Sequence, residues 1–277
     1  MSNLNKSIPV FFFHMGYQSY LEKIIQQAQL SNERVILLGD NYNQRIEVEH
    51  HAVDSYYDKT DAFASRYRHM STNPPQFEII CFARWFVLRN FMREHNIDIC
   101  FYADSDIMIH ANLTAERAKF EAHDCAFMMP EEQSPYSWSA SGHNSYWTLE
   151  ALEDFCAFIN TTYSTPEGIE KLTEKWTFHI ENNQPGGICD MTLFWLYYNF
   201  KNGNDIHILS NIVENATFDD NIVSSTNRYK DEYRIKDGIK EIEFREDGPY
   251  CFNLREEKWV RFNTLHYSGA QTKSLIE

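Results

Sequence analysis

Positive charge is scarce in this 277-residue sequence, where 25 Lys and Arg stand against 40 Asp and Glu, a formal charge of -15. So acidic a chain repels a nucleic-acid backbone or an anionic membrane at long range, which argues against either as its main partner. Long apolar runs are missing too. Nowhere do about 18 uninterrupted apolar residues occur, so no transmembrane segment is expected. The start, MSNLNKSIPVFFF, lacks the cleavage-site pattern of a signal peptide, and the expected location is cytoplasmic. No CxxC pair occurs among Cys81, Cys100, Cys125, Cys156, Cys189 and Cys251; most have apolar neighbours and read as buried free thiols. The first apolar run is followed by a single glycine, Gly16, so a Gly-rich phosphate loop is excluded. Internal repeats, low-complexity tracts and long linkers are absent as well.

What is present is a substantial core: 43% of residues are hydrophobic and 15% aromatic. Apolar runs at 8–13 and 34–38 read as strands, and the apolar spacing through Tyr17, Leu21, Ile24, Ile25 and Ala28 reads as a helix over 17–30. Beta, alpha, beta in this span marks a parallel sheet flanked by helices. A third strand is expected at 46–53, a long helix at 76–95 and a strand at 97–103. The second half is less regular, with strands expected at 124–129, 239–244 and 259–266 and helices at 149–159 and 188–200. The fold class is thus α/β, with a Rossmann-like mixed sheet. A single domain over 1–277 is expected, with a nucleotide-binding half at 1–110 and an elaborated carboxyl-terminal half at 111–277 that binds an acceptor.

The stretch FYADSDIMI, 101–109, places Asp104 and Asp106 in a run that otherwise favours burial. A desolvated carboxylate is costly without a partner. Two readings stand: a divalent cation held against a diphosphate, or a turn with Asp104 as a cap and Asp106 in water. The cation would also answer the charge problem of an anionic substrate. Arg84 lies on a helical face with Phe77, Ile80, Cys81, Val87, Leu88 and Phe91, while Glu78, Arg89 and Arg93 fall opposite. Its guanidinium would meet either a protein carboxylate, Asp104 included, or a substrate phosphate or sugar.

With these residues, and with IPVFFFHMGYQSYL, VILLGD and LHYSGAQTKSL, the chain resembles glycosyltransferases of the GT-A fold, nearest in motif order to the family of glycogenin and bacterial lipopolysaccharide galactosyltransferases. The resemblance is one of order and short motifs across most of the chain. It implies transfer of a sugar from a nucleoside diphosphate, a UDP-sugar, to a hydroxyl of a glycan or other acceptor. It further implies Mn²⁺ or Mg²⁺ held by Asp104, Asp106 and His266, with Gly269 and Lys273 completing the phosphate contacts and Arg84 touching the donor sugar. Lys273 lies one residue farther from His266 than the family spacing. The N-A-G and D-Q-D elements are replaced by SASGHNSYW and GGICDMTLF. If the acceptor is lipid-linked, the protein would work at a membrane surface.

Further candidates follow from position. Asp190, in the first turn of an apolar helix, either satisfies amides and the helix dipole or serves the acceptor as base or hydrogen-bond partner. Trp138, His143 and Asn144 would bind sugar or fill the core. Without the resemblance, His266 reads rather as a packed histidine with a backbone partner than as a metal ligand. Phe13, His14 and Tyr17 after the first strand, Asp40 after the second and Ser105 between the aspartates are placed to meet a nucleotide at the strand ends. The competing readings are a noncatalytic nucleotide-sugar-binding protein and a haloacid-dehalogenase-like phosphotransferase with Asp104 as nucleophile.

Overall fold

The computed structural model describes residues 7–57 and 61–276. Strand β1 (Val10–Phe13) is buried along its whole length. Its two-residue period sends Phe11 and Phe13 into one apolar layer and Val10 and Phe12 into the other. Around it lie β2 (Val35–Gly39), β3 (Glu49–Ala52), β4 (Ile99–Asp104), β5 (Ile107–Ile109), β6 (Cys125–Met128), β7 (Ser141–Thr148) and β8 (Ile206–Ile208). All but β5 join one seven-stranded sheet in the order β3-β2-β1-β4-β7-β6-β8. Strands β3, β2, β1 and β4 are parallel. β7 runs antiparallel to β4 and β6, and β8 is parallel to β6, so the sheet is mixed as expected.

On the Phe11 side the sheet packs against the helices Pro75–Glu94, Leu149–Thr162 and Asp190–Phe200, through Trp85, Phe86, Phe155 and Phe194. On the Val10 side it packs against the helix Ser19–Ser31 and a smaller four-stranded sheet, through Ile24, Cys251, Val260 and Phe262. The strand Thr264–His266 pairs antiparallel with β5, matching His266 to Ile107. This pairing carries the end of the chain to the aspartates.

Three sequence expectations need correction. The run 259–266 is two strands, Lys258–Phe262 and Thr264–His266, in different sheets. They part at Asn263, whose N–H donates to the Thr217 carbonyl and whose own carbonyl accepts from His110. The run 239–244 likewise divides into Ile239–Lys240 and Glu243–Arg245. The faces of the Arg84 helix differ from those the sequence spacing predicts: Glu78 is fully buried, while Phe77 is 56% and Ile80 38% exposed. Ser71 Oγ and Asn73 Nδ2 both donate to Glu78 Oε1 at 2.8 Å, giving the buried carboxylate partners that sequence periodicity does not see. Strand β7 and the helix Pro166–Glu181 have no counterpart among the sequence expectations. All six cysteines are free, and no helix among the described residues is long and apolar enough to cross a membrane.

Candidate active site

Parallel strands β1 and β4 end side by side, Phe13 opposite Asp104. Open α/β sheets bind ligands beyond such carboxyl ends. Here a cleft of about 700 Å³ opens, lined by Phe13, His14, Arg84, Asp104, Ser105, Asp106, His143, Asp190, His266, Gly269 and Lys273. Residues as far apart in sequence as Phe13 and Lys273 thus converge because β1, β4, β5 and the Thr264–His266 strand meet at one sheet end.

Arg84 holds the centre. Its Nη1 donates to Asp104 Oδ1 and its Nη2 to Asp190 Oδ2, each at 2.6 Å, and Nη1 also reaches the Tyr102 hydroxyl at 3.2 Å. Trp85 Nε1 donates to the same Asp190 oxygen at 3.0 Å. The anion that the arginine needs is therefore supplied by two protein carboxylates, and Asp190 is held by side chains rather than by helix amides. Burial works against the charged guanidinium, but Asp104, Tyr102 and Asp190 outweigh it and raise its pKa well above the ordinary value. Burial raises the Asp104 pKa, with Arg84 opposing.

Asp190 is positioned by the segment before it. Gly186 and Gly187 have φ of 85° and 142°, and the Ile188 amide donates to the Met70 carbonyl at 2.7 Å. A Cβ at Gly187 would stand 2.3 Å from the Met70 carbonyl oxygen, so only glycine lets the backbone approach this closely.

Asp106 forms a second charge centre. Lys273 Nζ stands 3.1 Å from its Oδ2 and His266 Nε2 3.5 Å from its Oδ1. His266 Nδ1 faces the Asp220 carbonyl at 2.6 Å, which fixes a proton on that nitrogen and turns Nε2 toward Asp106. Burial opposes charge on both groups, but their attraction wins, with His266 raised to about 9 and Asp106 lowered to about 2. His143 stacks on His266 with ring centroids 4.4 Å apart. Burial first, then the His266 charge, pushes the His143 pKa well down, so it is neutral. His14 Nδ1 meets Ser105 Oγ at 2.7 Å, and burial lowers the His14 pKa.

Four sequence candidates lie outside the cleft lining. Tyr17 donates its hydroxyl to Glu22 and carries the Arg45 guanidinium on its ring. Asp40 accepts from the amides of Gly16 and Tyr42, closing a turn. Trp138 stacks on Trp195, and Asn144 donates to the Asp219 carbonyl in the core. Residues that sequence reasoning passed over take their place. Met15, Phe77, Ile80 and Met191 form an exposed apolar lip, and Asn73, Ser141, Asp220 and Asn221 add polar lining. The only advance signal for the lip was Phe77 and Ile80 on the Arg84 face. Among the described residues no group of three His, Cys, Asp or Glu stands arranged to hold a metal ion.

The architecture is that of a GT-A-like glycosyltransferase fold: a central mixed sheet flanked by helices, with the cleft at its strand ends. No protein-family model matches the sequence, and no curated protein sequence does. The structure is similar to mouse xyloside xylosyltransferase 1 in its apo form, with a TM-score of 0.53 and 10% identity over 74% of this chain and 85% of that one. It is also similar to the bifunctional glycosyltransferase WbbM, with a TM-score of 0.51 and 10% identity over 98% of this chain and 47% of that one.

Proposed function

We propose that this protein is a metal-dependent glycosyltransferase that moves a sugar from a UDP-sugar to a hydroxyl of a glycan or other acceptor. The observation that carries the reading is the convergence of Asp106, His266 and Lys273 beside Arg84 at the end of β4. In so acidic a chain these are the groups that would receive a diphosphate. The donor types suit Mn²⁺ or Mg²⁺, although the side chains would have to close in around the ion: a carboxylate and an imidazole nitrogen face one another across 3.5 Å, and Arg84 and Tyr102 both bond Asp104 through Oδ1, which leaves its other oxygen for a ligand. Asp104, Asp106 and His266 would hold the ion. When bound, it would supply positive charge against the departing diphosphate.

The chain's own residues do the rest. Lys273 leaves Asp106 for a phosphate oxygen, adding charge where negative charge develops. Arg84 keeps the Asp104 and Asp190 side chains oriented, and Asp190 lies where it can meet sugar hydroxyls. The apolar lip of Phe77, Ile80 and Met191 gives an acceptor sugar a face to lie on. Hydrolysis of UDP-sugars by the purified protein should require divalent metal and be lost in Asp106→Ala; metal-independent turnover, or full activity in that variant, defeats the proposal.

A further inference from the structure

The segment 218–222 carries no expected role, yet it is bonded on every side. The Asp219 carbonyl accepts from Asn144 Nδ2 at 3.0 Å and faces His143 Nε2 at 3.4 Å. Asp219 Oδ2 accepts the His266 backbone amide at 2.9 Å, and the Ile222 amide returns a bond to the His266 carbonyl at 3.0 Å. Asp219 Oδ1 pairs with Lys240 Nζ at 2.8 Å, with both side chains 0% exposed. The same Nζ donates to the Asn221 carbonyl at 2.7 Å and lies 5.8 Å from the ring centroids of Tyr233 and Phe262.

A fully buried ion pair is a poor source of stability, because removing two charges from water costs about as much as their attraction returns. Well-packed apolar residues would hold this spot as firmly. What they would lack is the divided grip of Asp219, one oxygen on Lys240 and the other on the His266 amide. We infer that Lys240 and Asp219 are positioning residues for His266: they fix the 218–222 segment so that the Asp220 carbonyl holds the imidazole Nδ1 proton and Nε2 faces Asp106. The inference takes from the proposed function only that Nε2 has a ligand to meet.

The test uses the paired variant Asp219→Leu/Lys240→Met, which replaces both charges by apolar groups and leaves neither unpaired. In wild type, proton NMR should show a slowly exchanging imidazole proton, assigned by its loss in His266→Asn. In the paired variant, folded by thermal melt, that proton should exchange at least tenfold faster, and electron paramagnetic resonance should show Mn²⁺ binding in the presence of UDP weakened at least tenfold. If the paired variant does not fold, Asp219→Asn/Lys240→Met, nearly isosteric, should show the same direction of change. Wild-type exchange in a folded variant overturns the inference. Fast exchange with no Mn²⁺ binding even by wild type upholds the positioning role and removes the metal from the proposed function, so the two failures are distinct.

Discussion

Replacing Arg84 by Met removes one cation from between two carboxylates, and the consequence follows from their burial. The Asp190 side chain is 4% exposed and that of Asp104 29%, each 2.6 Å from the guanidinium. Breaking a buried ion pair from one side costs roughly 3–5 kcal/mol, since the remaining charge keeps its desolvation and loses its partner. Asp190 carries most of this, with Trp85 Nε1 as its remaining donor. For a chain of this size about 1 kcal/mol moves Tm by roughly 2–4 °C, so Arg84→Met should melt some 6–20 °C lower. The Asp104 pKa, already raised by burial, loses its main opposing charge and rises further. A carboxylate with a raised folded pKa carries its full cost above that pKa and none below the ordinary 3.8, so the deficit should shrink as pH falls toward 3.8. Differential scanning fluorimetry at about pH 4 and pH 7.5 reads both effects. Arg84→Met/Asp190→Asn should recover part of the loss. A shift below about 2 °C, or no recovery in the double variant, would refute the claim that Arg84 compensates two buried carboxylates.

In the metal-free protein, the stability that His266 gains from Asp106 is fully present below its ordinary pKa of 6.5 and is lost as pH rises toward 9; that of Asp106 is present above 3.8 and lost as pH falls toward 2. Wild-type Tm should therefore fall more between pH 6.5 and 9 than that of His266→Asn, and parallel curves would count against the pair. Gly142→Ala puts a methyl 2.4 Å from Trp85 Cη2 and 2.5 Å from Phe194 Cζ, rigid rings in the core. Overpacking of this kind costs about 1–3 kcal/mol, and unchanged urea unfolding in Gly142→Ala would show that the rings can retreat.

How far the sequence could be read depended on the range of the interactions. Strands β1, β2 and β4 and the Arg84 helix are written in local apolar patterns, and each lies within a few residues of its expected place. The acidic pair follows directly from where β4 ends. Glu78 shows the limit of periodicity: its charge suggests solvent, but Ser71 and Asn73 make burial tolerable. Asp190 invites a capping role by its place at a helix start, and only the fold reveals that its partner is Arg84, 106 residues away. Asp219 and Lys240 gave no local signal at all, since neither has meaning until the strand Thr264–His266 docks on β5. Strand β7 escaped because its apolar and polar residues, from Ser141 to Trp147, are all buried between β4 and β6, which removes the alternation that marks a half-exposed strand.

The proposed function rests on Asp104, Asp106 and His266 joining a divalent ion to a diphosphate, and thermal melting of the protein with UDP, with and without Mn²⁺, tests that most directly. UDP at about 100 times its Kd should add roughly 2.7 kcal/mol, or about 5–11 °C, when Mn²⁺ is present. Little of this gain should survive a chelator or the Asp106→Ala change. An equal shift from UDP with and without Mn²⁺, or no shift under either condition, would contradict it.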